Sequence, residues 1–287
     1  MQHKKITFIG TGHMATALIR GLIAAHYPSQ CITVYDKRSE KSQALADELH
    51  LCCAETLASA TKQTDIIVLA VKPDAIPALC QDLKDYLAHH PLMISVAAGT
   101  PLAKISHFLQ NESLAMIRSM PNTPALIGSG ATGLYANSKV NHADREWAES
   151  LFRSVGIVHW CTEETALDAI TALSGSGPAY IFLVMEAMQE AAVGLGLEAS
   201  LAKTFAIQTT LGAARMALET AHPIAELRQQ ITSPGGTTEK ALAVLEDQGQ
   251  LKNLFARAMQ SACEQAKILG LVDTGFVEAK NEGTETK

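Results

Sequence analysis

The stretch Ile6-Thr7-Phe8-Ile9-Gly10-Thr11-Gly12-His13-Met14-Ala15 decides the fold, because a short apolar run leads directly into a GxGxxA pattern. Gly10 permits a tight turn, Gly12 removes a side chain that would block a pyrophosphate, and Ala15 lets the following helix pack closely on the strand. The amides of that helix, which is predicted to end near Ala25, would face the phosphates. An ordinary strand-to-helix turn is the alternative. The pattern predicts dinucleotide contacts from Gly10, Thr11, Gly12, His13 and Met14.

Short apolar runs alternate with helical stretches from Lys5 to about Trp160, as in a parallel sheet with crossover helices. Several runs are apolar on both faces, which strands between two helical layers require. We therefore predict a Rossmann-type α/β domain over residues 1–162. Its predicted strands are 6–9, 32–35, 66–71, 92–96, 114–120, 132–135 and 157–160.

After Glu163 the β-rich runs stop, and Ala, Leu and Met recur at helical spacing as far as Leu271. We predict an all-α domain for dimerisation and substrate binding over residues 163–280, followed by a polar tail at 281–287. The predicted helix 179–193 is apolar nearly all round, so it needs partners on every side. One small domain supplies too few partners, which indicates a second subunit.

The second strand leads into Asp36, Lys37 and Arg38, where a dinucleotide fold reads the adenosine ribose. Asp36 can accept both ribose hydroxyls and favour NADH, whereas Lys37, Arg38 and Ser39 can bind a 2'-phosphate and favour NADPH. The two basic residues can equally be solvated loop charges. Other strand ends should line the same crevice, although Lys72 can instead be a plain surface lysine. These predicted contacts are Ala70, Val71, Lys72, Pro73, Ala97 and Ala98.

Composition excludes several classes of function. A net charge of -6 and a pI near 5.9 leave no basic surface for a nucleic-acid backbone. No apolar run reaches the roughly 18 to 20 residues of a membrane span, so we expect a cytoplasmic protein. The cysteines and histidines show no metal-ligand spacing, and we predict no metal site.

The segment from Ser233 to Leu242 combines two glycines and three hydroxyl residues with the start of a helix. Gly235 and Gly236 let the chain curl so that successive N–H groups converge, and the helix dipole favours an anion there. The segment predicts a carboxylate or phosphate site. An ordinary helix cap is an equally good interpretation of these residues alone.

Five motifs together resemble the pyrroline-5-carboxylate reductase family, from Ile6 to about Leu269. The SGSGPAY and SPGGTT motifs are specific to that family, unlike the glycine fingerprint. The motifs are IGxGxM from Ile9 to Met14, Ala70 to Pro73, Met120 to Pro124, Leu173 to Tyr180, and Ser233 to Thr238. Asn122, in the third motif, is assigned to the cofactor site.

The resemblance implies reduction of 1-pyrroline-5-carboxylate to L-proline by hydride transfer from NADPH or NADH, the last step of proline biosynthesis. It also implies dimers with interlocked helical domains, often stacked into larger rings. The implied substrate contacts are Glu164, Ser233, Gly236, Thr237 and Thr238. Among them, Thr238 would donate towards the ring nitrogen and serve as the catalytic residue. Glu164 can instead be a solvated acidic helix start.

Two other functions remain as alternatives. A hydroxyacid dehydrogenase of similar plan needs a general base, commonly a lysine on the first helix of the second domain, and no lysine lies between Ser174 and Ala202. A non-catalytic dinucleotide sensor would have no reason for a carboxylate loop. Reduction of the cyclic imine is therefore the preferred prediction.

Overall fold

The computed structural model describes residues 3–271, which divide between two compact units. Residues 3–171 and 264–271 belong to the first unit, and Ala172–Cys263 forms the second. The division lies nine residues beyond the predicted boundary at 162/163, and the return of the C-terminal segment was not predicted. Residues 272–280 of the predicted helical domain and the predicted tail 281–287 lie outside the described part of the chain.

The first unit is built on an eight-stranded sheet in the order β3-β2-β1-β4-β5-β6-β7-β8, parallel except where β6 meets β7. This order, with β1 central and a crossover to β4, is that of a doubly wound dinucleotide fold. The strands are β1 (Ile6–Ile9), β2 (Ile32–Tyr35), β3 (Cys52–Cys53), β4 (Ile66–Leu69), β5 (Leu92–Ser95), β6 (Met116–Met120), β7 (Gly130–Ala136) and β8 (Gly156–Trp160).

The predicted bounds of β1 and β2 are confirmed, and the other strands differ by a few residues. β4 ends at Leu69, the partner of Ile9, because β1 turns away at Gly10 and leaves the residues after Leu69 without a paired strand on that side. β5 ends one residue early, β6 starts two residues late, and β7 and β8 are longer than predicted. β3 was not predicted, because two residues are too few to show an apolar period.

The helices of the first unit cover both faces of the sheet. Ile6 and Phe8 point into one buried cluster, and Ile9 and Ile67 point into the cluster on the other face. Each fully buried side chain of this kind stabilises the fold by roughly 1.5–3 kcal/mol. The helices are α1 (His13–Ala24), α2 (Ser39–Leu49), α3 (Leu57–Thr61), α4 (Ile76–Leu83), α5 (Leu102–Leu109), α6 (His142–Arg153) and α7 (Ala166–Ile170).

The second unit is entirely helical in its described elements, as predicted. Its helices are α8 (Gly177–Gly194), α9 (Ala199–Glu219), α10 (Ile224–Gln230), α11 (Thr237–Glu246) and α12 (Gln250–Leu271), the last of which ends in the first unit. α8 packs along α9, yet no residue of α8 is buried in the single chain. Phe182 and Leu183 remain about two-thirds exposed. An apolar surface of this size is typical of a protein interface.

One part of the described chain is long and apolar enough to cross a membrane by length and composition, namely the run Ala166–Gly194. The prediction that no run reaches this length is therefore corrected. The run contains α7, a π-helical turn and α8, so it is not one regular helix. Packing of α8 against another protein surface requires the same apolar composition.

Candidate functional site

The glycine turn between β1 and α1 depends on two glycines for different reasons. Gly10 has φ +95°, and a Cβ atom there would lie 2.5 Å from the carbonyl oxygen of Ala70. Gly12 is the N-cap residue of α1, so no side chain there bonds to the first helix amides. A Cβ atom at Gly12 would stand in open space. The turn therefore exposes a helix N-terminus, whose amides favour an anion.

Asp36 holds this turn in place. Its Oδ2 accepts hydrogen bonds from the Thr11 amide at 2.9 Å and the Thr11 hydroxyl at 3.0 Å, while Oδ1 accepts from the Arg38 amide at 3.0 Å. Burial alone would raise the pKa of Asp36, but these hydrogen bonds and the charge of Arg38 lower it overall. Both carboxylate oxygens are thus engaged by the protein.

A cavity of about 480 Å³ lies beside the glycine turn, at the carboxyl ends of β1, β2 and β4. Eight of the predicted cofactor residues line it: Gly10, Gly12, Asp36, Lys37, Arg38, Ala70, Val71 and Lys72. Six lining residues were not predicted: Ile9, Tyr35, Asp74, Ala75, Ala78 and Leu79. Asp74 and Ala75 could have been proposed from their position just after the predicted Ala70–Pro73 contacts. Ala78 and Leu79 lie in α4, and no sequence motif around them indicates a cofactor contact.

Seven predicted cofactor residues do not line this cavity: Thr11, His13, Met14, Pro73, Ala97, Ala98 and Asn122. Thr11 instead binds Asp36, and His13 begins α1 with an exposed side chain. Asn122 is buried, and its Oδ1 accepts a hydrogen bond from the Ala131 amide at 2.8 Å. Ala97 and Ala98 follow β5, whose carboxyl end lies on the same edge of the sheet.

Two basic side chains stand at the mouth of the cavity. The Arg38 side chain is 66% exposed, and its Nε lies 3.8 Å from Oδ1 of Asp36. Lys37 Nζ lies 3.8 Å from Oδ2 of Asp82, and both of these side chains are largely exposed. Because exposed ion pairs at this distance contribute little, both cations remain able to meet a phosphate.

The Ser233–Thr238 loop of the second unit is an open, curled turn. Gly235 has φ +72°, and its amide donates to Oε2 of Glu239 at 2.8 Å. Gly236 is the N-cap of α11, and its own amide donates to the Ser233 carbonyl oxygen at 3.0 Å. Thr237 and Thr238 form the first turn of α11, where amides have no partner within the helix.

Glu164 is neither a solvated helix start nor an isolated carboxylate. Its Oε1 accepts a hydrogen bond from the Leu102 amide at 2.8 Å and lies 3.3 Å from Nη1 of Arg118. Arg118 also binds Asp168 at 2.8 Å. Sequence reasoning overlooked Arg118 and Asp168, although an arginine inside the apolar strand β6 is a signal for buried carboxylate partners.

Comparison with known proteins identifies both parts of the chain. Residues 164–269 match the family model for pyrroline-5-carboxylate reductase dimerisation, and residues 5–99 match the model described as NADP oxidoreductase, coenzyme F420-dependent. Pyrroline-5-carboxylate reductase from Pseudomonas aeruginosa is 42% identical over 94% of this chain and 100% of its own length. The enzyme of the same name from Escherichia coli is 36% identical over 93% of this chain and 98% of its own.

Solved structures agree with these sequence relatives. A pyrroline-5-carboxylate reductase from Coxiella burnetii matches with a TM-score of 0.88 and 44% identity, over 93% of this chain and 99% of its own. A pyrroline carboxylate reductase from Plasmodium falciparum, solved with NADP bound, matches with a TM-score of 0.83 and 32% identity, over 94% and 99% of the two chains. The described chain therefore belongs to the pyrroline-5-carboxylate reductase family.

Proposed function

We propose that this protein reduces 1-pyrroline-5-carboxylate to L-proline by hydride transfer, with NADPH as the preferred cofactor and NADH as a substitute. It is an oxidoreductase that acts on a C=N bond, in the last step of proline biosynthesis. The observation that carries this function is the SPGGTT loop, whose positive-φ glycine and uncapped helix start would suit a carboxylate, in a chain that also has a cavity suited to a dinucleotide. Neither a hydroxyacid dehydrogenase nor a non-catalytic sensor is favoured by the family assignment.

The dinucleotide cavity fits an NADP molecule. Gly10 and Gly12 keep the turn clear of side chains, so the amides at the start of α1 would hold the pyrophosphate. The exposed Arg38 guanidinium would bind the 2'-phosphate, assisted by Lys37. When bound, the reduced nicotinamide supplies the hydride. Ala97, Ala98 and the other predicted contacts outside the cavity remain proposals for the rest of the dinucleotide.

The SPGGTT loop would hold the substrate. Amides of Thr237 and Thr238 and the Ser233 hydroxyl would bind its carboxylate, while Gly236 shapes the turn. We assign Thr238 as the catalytic residue, because its hydroxyl would donate a hydrogen bond to the ring nitrogen as that nitrogen becomes an amine. An imine carbon is already electrophilic, so the protein mainly has to position the reactants.

A spectrophotometric assay tests the function directly. Oxidation of NADPH should depend on added 1-pyrroline-5-carboxylate, and the product should be L-proline; NADH in place of NADPH establishes the cofactor preference. An α-keto acid offered as a substrate serves as a control for the dehydrogenase alternative. Binding of NADPH without turnover of the imine would contradict the proposal and favour a sensor.

We also propose that the protein self-associates through its helical unit, as a dimer or a ring of dimers, and works in the cytoplasm without a membrane or nucleic-acid partner. The dimerisation family match and the exposed apolar side chains of α8 support self-association. The family assignment supports a soluble enzyme. Sedimentation velocity should show no active monomer; full activity in a monomer fraction would contradict this proposal.

A further inference from the structure

Arg118 is a buried cation that the proposed reaction leaves unexplained. Its side chain is 4% exposed in the middle of β6, and its guanidinium meets carboxylates of Glu164 and Asp168. A buried charge is tolerated only when it is paired, so the arginine fixes both acidic side chains. Asp168 itself is buried, whereas the Glu164 side chain is 22% exposed.

Glu164, held by Arg118, in turn restrains the turn between β5 and α5 in the first unit. Glu164 accepts a hydrogen bond from the amide of Leu102, the first residue of helix α5. The N-cap residue of that helix is Pro101, whose side chain caps none of the helix amides. Glu164 therefore satisfies an otherwise unpaired helix amide across 62 residues of sequence. The carboxylate thereby anchors the C-terminal end of the turn between β5 and α5.

The same turn is held from a second side. Gly99 has φ +71°, and a Cβ atom on Gly270 would lie 2.2 Å from the Gly99 carbonyl oxygen, so the two backbones are in direct contact. Lys104 Nζ donates to the Gly270 carbonyl oxygen at 3.0 Å. With both ends restrained, the turn presents Ala97 and Ala98 in a fixed position at the carboxyl end of β5, the edge on which doubly wound folds bind dinucleotides.

We propose that Glu164, held by Arg118, is a positioning residue that fixes the β5–α5 turn for the nicotinamide end of the cofactor, and is not a substrate contact. This inference rests on the proposed function. It gives Glu164 a different role from the one that the family resemblance implied. The property that matters is a side-chain oxygen in place to accept the hydrogen bond of the Leu102 amide, not a charge offered to the substrate.

Three variants separate these roles. Glu164→Ala removes the acceptor, Glu164→Gln keeps an acceptor oxygen but loses the charge, and Glu163→Ala is a control on the exposed neighbour. Glu164→Ala should lower kcat by about tenfold, because a loosened turn misaligns the hydride donor, with substrate KM changed by less than about threefold. Glu164→Gln should recover most of that kcat, and Glu163→Ala should behave like the wild type.

Deuterated NADPH gives an independent readout. If hydride transfer is the slowed step, the primary isotope effect on kcat should rise in Glu164→Ala and return towards the wild-type value in Glu164→Gln. Should Glu164→Ala fail to fold in a thermal melt, that result shows that the fold needs the acceptor, and Glu164→Gln then tests the substrate role: a raised substrate KM in this variant would overturn the inference.

A substrate contact predicts the opposite pattern, in which Ala and Gln variants raise substrate KM alike. That result would overturn the inference, as would a folded Glu164→Ala with a lower Tm but wild-type kinetics. Wild-type turnover of the imine is measured first. Its absence would contradict the proposed function itself and is thereby distinguished from a failure of the positioning role.

Discussion

The two glycine turns of this protein look alike in sequence but depend on glycine for different reasons. At Gly10 an added Cβ would meet the Ala70 carbonyl oxygen at 2.5 Å, while at Gly235 nothing lies within 4 Å. Both have positive φ, +95° and +72°. The first turn therefore needs glycine for packing and conformation, whereas the second needs it for conformation alone.

This difference agrees with what each turn would bind. The first is fixed by neighbouring strands and by Asp36, so its shape exists before any ligand arrives. The second is held mainly by its own hydrogen bonds, from the Gly235 and Gly236 amides. We infer that substitutions in the first turn act on both stability and cofactor binding, whereas those in the second act on substrate handling.

The largest expected effect is that of Gly10→Ala. The clash with Ala70 and the strained φ should weaken NADPH binding by about a hundredfold and lower Tm, since an interior overlap and a strained backbone conformation each cost about 1–3 kcal/mol. Fluorescence titration and a thermal melt measure the two effects. Gly12→Ala is the matched control: its Cβ has open space, so Tm should hold while NADPH binding falls. A Gly10→Ala protein that binds NADPH normally would remove the distinction between the turns.

Thr238→Ala should have the second-largest effect. This variant tests the SPGGTT loop by removing the hydroxyl of one of its side chains. Losing a hydroxyl bond that strengthens during reduction should lower kcat about ten- to a hundredfold, equivalent to roughly 1.4 to 2.7 kcal/mol, with cofactor affinity unchanged. Ser233→Ala is the contrasting variant, because a carboxylate contact present throughout the reaction should mainly raise substrate KM. Wild-type kinetics in Thr238→Ala would reduce this residue to a helix-start residue.

Arg38→Ala should have a smaller and selective effect at the first turn. A guanidinium can grip the 2'-phosphate, so the KM for NADPH should rise by about tenfold while that for NADH changes little. Steady-state kinetics with both cofactors give the ratio, and Lys41→Ala, on the exposed side of α2, is a control. Equal losses for both cofactors would show that Arg38 is merely a surface charge.

Gly235→Ala should have the smallest effect of the four. The only penalty is the positive φ, which costs a residue with a Cβ atom about 1–2 kcal/mol. Because nothing packs on this position, the loop can relax out of the left-handed conformation, so substrate KM should rise by severalfold while Tm and NADPH binding stay nearly unchanged. Gly235→Asn sharpens the test, because asparagine tolerates this conformation better and should recover part of the loss. A large drop in NADPH binding would contradict the separation of the two turns.

Most of the first unit was predictable because its strands and cofactor residues are indicated by short, continuous stretches of sequence. The strands β1 and β2 and eight residues of the cavity follow from apolar runs and their ends. Glu164 was not predictable in the same way, because its partners Arg118 and Leu102 are 46 and 62 residues away in sequence. The engagement of Asp36 by Thr11 was likewise hidden, since a residue type at a strand end does not reveal which way its carboxylate points.

The return of the chain to the first unit at Glu264 affects how the protein is made. Domains usually fold in order as they leave the ribosome. Here the segment that packs on Gly99 is synthesised only after the whole helical unit, so the cofactor unit cannot complete its β5–α5 turn while the chain is still growing through that unit. Until Gly270 is made, Gly99 lacks its backbone neighbour, although every residue that lines the dinucleotide cavity has already been synthesised.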